Sequence, residues 1–150
     1  MELEGTFMCC GVKNSNGRTY DSSIMQNAIA DYQKKVAEGK AFGYLGDDQD
    51  RYYYGAPCHP NENITDISHK ITEFNFDEET GKLFGKIQLL DTPRGKVAQT
   101  IVAQTNEMGV AASMAGEVDR DGTVLEVNEI FGFNLCNNPS WKEAKVKPVE

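Results

Sequence analysis

Gly109-Val110-Ala111-Ala112-Ser113-Met114-Ala115-Gly116 is built almost wholly from small residues, with a glycine closing each end. Small side chains bury little area, so they belong where another backbone or a ligand comes close. In an extended chain Ala111, Ser113 and Ala115 share one face, because strand side chains alternate. Two readings follow: a substrate-facing strand with one hydroxyl at its middle, or a tightly packed core strand. The surrounding sequence bears on both.

After the octet come Val118, a turn at Asp119-Arg120-Asp121-Gly122, and apolar runs near Thr123–Val127 and Ile130–Cys136 that predict two strands. Before it, Asp91-Thr92-Pro93 has the cap and first-turn proline of a helix with apolar positions Val97, Ala98, Ile101 and Val102, ending near Asn106. Further upstream, Ile64–Phe76 and Leu83–Leu90 flank Glu78-Glu79-Thr80-Gly81 and form the clearest hairpin. An opening strand over Leu3–Cys10 precedes a turn at Asn16-Gly17. A helix capped by Asp21 or Ser22 follows, with Ile24, Ala28, Ile29, Tyr32 and Val36 on one face and Gly39 as its stop. Ala41–Leu45 is short and strand-like, Gly46–Cys58 reads as an exposed loop, and Lys142–Glu150 reads as a polar tail. About six strands and two helices without βαβ alternation predict an α+β domain. The expected form is a mainly antiparallel sheet or small β-barrel with two principal helices, as a single domain over residues 1–150.

The composition, 39% hydrophobic and 25% charged, is that of a globular chain. A net charge of −8 and the lack of any basic run argue against a nucleic-acid partner. No apolar stretch approaches the ~18 residues of a membrane span, and Met1-Glu2-Leu3-Glu4 is no signal peptide, so a soluble intracellular protein is expected. Cys9, Cys10, Cys58 and Cys136 lack metal-knuckle spacing, and free, mostly buried thiols are the default. No phosphate loop, dinucleotide fingerprint or metal-ligand set is present, so neither cofactor nor metal is expected.

Two histidines remain as candidates for proton transfer. His59 sits in Pro57-Cys58-His59-Pro60, a rigid irregular segment suited to holding a general base. His69 falls inside a predicted strand and reads as structural. Tyr52-Tyr53-Tyr54 either lines a groove or folds back as a lid.

Several stretches, in order, resemble the prohead maturation proteases of tailed bacteriophages, a family sharing its fold with herpesvirus assemblin. These are Asn14-Ser15-Asn16-Gly17-Arg18-Thr19-Tyr20, Gly43–Gly46 with His59-Pro60, Ser68-His69-Lys70-Ile71-Thr72, Leu89–Lys96, Gly109–Gly116 and Asn134–Ser140. Asp47–Cys58 stands as an insertion between the family's Leu-Gly and His-Pro. The resemblance implies a serine endopeptidase that cuts scaffold and capsid proteins and itself, with His59 as general base and backbone N–H groups holding the oxyanion. It also implies a homo-oligomer, dimer or ring, located inside the prohead or virion and assembled in the host cytoplasm.

The departures fall on the chemistry. The family's two serines align with Ala111 and Ala112, its arginine with Ser113, and the final strand's acid, a possible orienter of the histidine, with Asn134. Three readings stand: a serine-to-alanine replacement introduced to stop self-digestion, a natural pseudoprotease kept as a capsid-assembly or virion structural protein, or attack by Ser113 after a shift along the strand of about 6–7 Å. Pro148-Val149-Glu150 resembles the end left by the family's own cleavage, and an ordinary chain end explains it equally.

Overall fold

The computed structural model describes residues 1–46 and 66–150, with the backbone of 52–53 and 56–57. The chain order is β1 (Glu2–Cys9), α1 (Ser22–Ala37), β2 (Phe42–Tyr44), β3 (Tyr52–Tyr53), β4 (Ala56–Pro57), β5 (Ile67–Asp77), β6 (Lys82–Leu89), α2 (Pro93–Thr105), β7 (Met108–Val118), β8 (Val124–Cys136) and β9 (Lys145–Pro148). His59, Cys58, Tyr54 and most of the Asp47–Cys58 segment lie outside the described residues. Within that segment β3 and β4 form a small antiparallel ladder, Tyr52 opposite Pro57 and Tyr53 opposite Ala56.

Seven strands form one sheet in the order β2-β5-β6-β1-β9-β7-β8, every ladder antiparallel. Its two outer strands meet again: Leu45 forms a parallel bridge with Leu135, and the Gly46 N–H donates to the Leu135 carbonyl at 2.7 Å. The expected α+β fold is therefore a nearly closed, barrel-like sheet with two helices.

The curl comes from β8. Its register against β7 skips Phe131, Asn128 and Leu125, so three residues of β8 repeatedly span two of β7. Each such bulge bends and twists the strand that carries it. Val124, Val127 and Ile130, every third residue, are consequently the buried ones in the bulged half of β8, whereas Gly132–Cys136 at its far end are all buried. Thr123–Val127 and Ile130–Cys136, expected as two strands, are one strand, because the bulges erase the alternation that marks continuous β structure.

The polar segment after Trp141 is also not a tail. Lys145–Pro148 enters the middle of the sheet, paired with β1 on one side and β7 on the other. Ala144 and Val146 are fully buried, while Lys145 and Lys147 face out. A strand with so few apolar residues carries almost no sequence signal, and two neighbours recruit it.

Both helices begin as expected. Asp21 caps α1 by accepting the Ser23 N–H at 3.0 Å, and α1 lays Tyr32 across Phe74 of β5 and Phe133 of β8. Phe7 completes this aromatic centre, 5.2 Å from Phe133. Thr92 caps α2, accepting the Gly95 N–H and donating to the Ile67 carbonyl. A Cβ on Gly95 would stand 1.9 Å from the Leu90 oxygen, so α2 sits close against the sheet because that residue has no side chain. Val97, expected on the apolar face, is 48% exposed, and Ala98 and Val102 provide the buried contact instead. Cys9, Cys10 and Cys136 are buried, as anticipated.

Candidate functional site

Val110 donates its N–H to the Ala144 carbonyl at 2.8 Å, toward β9. Alternate residues of an antiparallel strand turn their main chain the same way. The main-chain groups of Ala112 and Met114 therefore face the β9 side as well. The β9 ladder stops at Gly109, which leaves that edge of β7 open beyond Val110 among the described residues.

The side chains sort by the same alternation. Ala112 lies opposite Phe133, and with Val110 and Met114 it packs against the core. Ala111 lies opposite Asn134, and Ser113 opposite Gly132, on the other face. The two alanines are thus not equivalent: one turns inward to the aromatic centre, the other to a polar face shared with Asn134 and Ser113. Ser113 is itself 2% exposed, against a half-buried Ala111.

Asn134 is buried, and its Oδ1 accepts the Tyr44 N–H at 3.1 Å. This bond ties β8 to the end of β2, two residues before Gly46. The segment containing His59 leaves the described structure at Gly46, whose N–H is held by Leu135, the neighbour of Asn134. It returns at Asp66, whose carboxylate lies 3.7 Å from the Arg94 guanidinium of α2.

His69 closes the same seam. Its Nε2 lies 2.8 Å from the Phe133 carbonyl and its Nδ1 2.7 Å from the Ser68 hydroxyl. A carbonyl only accepts, so Nε2 carries the proton and Nδ1 accepts from Ser68, giving a neutral ring with both nitrogens paired. Desolvation pulls its pKa down to about 4, against the opposing pull of the Phe133 carbonyl. The ring lies over Gly43, where a Cβ would meet Nε2 at 2.1 Å. The Phe133 and Leu135 carbonyls thus receive a side-chain rung from His69 and a backbone rung from Gly46. Sequence reasoning assigned His69 a structural place but missed its partners. A glycine inside a strand pattern, Gly43, was the available sign of a close approach.

The quoted motifs also meet in space. Asn14 Oδ1 accepts the N–H groups of Asn16 and Arg18, and the turn it forms bonds Ser140 through the Ser15 N–H and the Asn16 side chain. Tyr20 packs on Trp141 with ring centroids 5.6 Å apart. Among the described residues no cluster of His, Cys, Asp and Glu has the form of a metal site, and no helix is long and apolar enough to cross a membrane.

The model of the prohead core protein serine protease family matches residues 1–150, the whole chain. The chain belongs to that family. A solved structure, that of the bacteriophage T4 capsid assembly protease gp21, is similar with a TM-score of 0.62 and 23% identity over 91% of this chain and 77% of that one. At that identity the likeness speaks to the fold, which this prohead protease family member shares. A comparison with curated protein sequences gives no match.

Proposed function

We propose that this chain is a prohead maturation protease in architecture, with position 111 as the seat of the nucleophile and His59 as the general base. As the sequence stands, it carries no hydroxyl to attack with at that position. The observation that carries the reading is the placement of Ala111 within a chain matched to the family from end to end. Ala111 turns away from the core, stands opposite Asn134, and lies where the open edge of β7 begins. An extended peptide adds to such an edge through main-chain hydrogen bonds, which would bring its carbonyl to the strand that bears residue 111. Ala112, half-buried like Ala111, stands opposite Phe133 on the face that packs against the core, so a hydroxyl there would point away from Asn134 and Ser113. Ser113 shares the face of Ala111 but is almost wholly buried, which makes it the weaker nucleophile.

The substrates in this reading are scaffold and capsid proteins inside the prohead assembling in the host cytoplasm, and the active unit is a homo-oligomer. Asp47–Cys58 is an insertion that leaves the catalytic domain intact. The absent serines at 111 and 112 and the amide at 134 together favour a second reading, a pseudoprotease retained for capsid assembly.

Intact mass followed over time, for the protein and for Ala111→Ser, each alone and with scaffold protein, separates these. Cleavage by Ala111→Ser alone supports the first reading. Cleavage by both proteins moves the nucleophile to Ser113. Cleavage by neither, with both folded, supports the pseudoprotease.

A further inference from the structure

The Asn134 side chain is 1% exposed, and one end of it is already committed. The Tyr44 N–H only donates, so the atom facing it is Oδ1, and Nδ2 necessarily points elsewhere. That Nδ2 is buried and finds no hydrogen-bond partner among the described residues. Buried amide donors are paired in most proteins, and an exception calls for an explanation. The residue directly opposite is Ala111. Directly opposed residues carry their side chains on one face, with Cβ atoms about 4.5–5.5 Å apart. An amide on one strand and a hydroxyl on the other span such a gap with a single hydrogen bond, whereas a methyl group leaves it empty.

We propose that Asn134 is a positioning residue for a hydroxyl at position 111, its Nδ2–H donating to the Oγ. This rests on the reading of position 111 as the seat of the nucleophile. It also revises the role that alignment implied for Asn134, as the counterpart of an acid orienting the histidine. The Asn134 carbonyl oxygen serves the β2–β8 seam, and its NH2 serves residue 111. With Nδ2–H occupying an Oγ lone pair, the hydroxyl proton is left to point at a base. As that proton passes to the base, Nδ2–H steadies the charge that builds on Oγ. The Oγ lone pair then forms the bond to the peptide carbon, the C=O π bond opens, and its electron pair moves to the carbonyl oxygen.

The experiment uses the 150-residue chain, labelled with ¹⁵N, as the parent sequence, Ala111→Ser, Ala111→Cys and Asn134→Asp. Asn134→Asp keeps an acceptor for the Tyr44 N–H, removes the donor, and assigns the Asn134 side-chain amide by its disappearance. In Ala111→Ser the Asn134 amide protons should shift downfield and exchange more slowly with solvent. In Ala111→Cys, similar in size but a weak acceptor, they should stay near their original positions. Ala111→Ser should also raise Tm by about 2–4 °C, the shift expected of one hydrogen bond in a chain of this size, and this gain should vanish in the Asn134→Asp background. An unmoved amide signal with no coupling in Tm overturns the proposal. If Asn134→Asp does not fold, the amide response to Ala111→Ser against Ala111→Cys decides alone. Cleavage by Ala111→Ser without the amide response leaves the functional reading standing and removes this one. The amide response without cleavage does the reverse.

Discussion

His69 and Phe133 meet across the seam of the barrel: the imidazole Nε2–H donates to the carbonyl at 2.8 Å, over a glycine that makes room for the ring. A side chain thus supplies a rung where strand pairing between β5 and β8 is absent. The neighbouring rungs, from Tyr44 to Asn134 and from Gly46 to Leu135, fix where the segment containing His59 departs. The geometry of any catalytic assembly at Ala111 depends on that seam.

The seam makes stability depend on pH. Burial holds the folded pKa of His69 at about 4, below its ordinary 6.5, so the unfolded chain binds the proton first as pH falls. The contribution is complete above pH 6.5, declines between 6.5 and 4, and falls no further below that. A shift of this size is worth on the order of 3 kcal/mol. Denaturant unfolding at several pH values should show the decline, and His69→Gln, which keeps a donor but does not titrate, should flatten it. An equal slope in both proteins would assign the effect to the carboxylates.

Gly43→Ala should be among the most damaging single methyl additions. Its Cβ would meet His69 Nε2 at 2.1 Å and the Phe133 oxygen at 2.5 Å, with backbone on one side and a pinned ring on the other. Overpacking of this kind costs about 1–3 kcal/mol, and the lost rung adds to it. Equilibrium unfolding of Gly43→Ala beside Gly132→Ala, where the nearest atom is 3.4 Å away, provides the comparison.

The two alanines should respond oppositely to serine. Ala111→Ser is expected to be tolerated and, in the functional reading, to restore cleavage. Ala112→Ser places a hydroxyl beside Phe133 and is expected to cost about 1–3 kcal/mol with no cleavage gained. Intact mass and chemical unfolding on the same samples check both halves.

His59→Ala in the Ala111→Ser background should lower the cleavage rate by about 10²–10⁴-fold, the usual worth of a general base, with little change in Tm. His69→Ala in that background should lower Tm first. A stable His69→Ala protein that no longer cleaves would exchange the two roles.

Val146→Asp should unfold the chain or destabilise it by several kcal/mol, since it buries an unpaired carboxylate between β1 and β7. A circular dichroism melt like that of the parent protein would show that β9 is dispensable to the sheet.

The sequence by itself determined the local elements whose signals are short-range. A cap at Asp21 or Ser22, a second within Asp91-Thr92-Pro93, helix ends at Gly39 and near Asn106, and the β5–β6 hairpin around Glu78–Gly81 are all local signals. The structure selects Asp21 and Thr92 as the caps and gives Gly39 and Asn106 left-handed conformations. Motif order was enough to indicate the family. Other features were decided by tertiary structure, because they depend on which strands become neighbours. Lys145–Pro148 is a strand only because β1 and β7 present open edges to it, and β8 is continuous only because its bulges are absorbed by closure of the barrel. Ala111 and Ala112 are adjacent identical residues that no local rule distinguishes. Register against β8 separates them, setting one against Phe133 in the core and the other against the buried amide of Asn134.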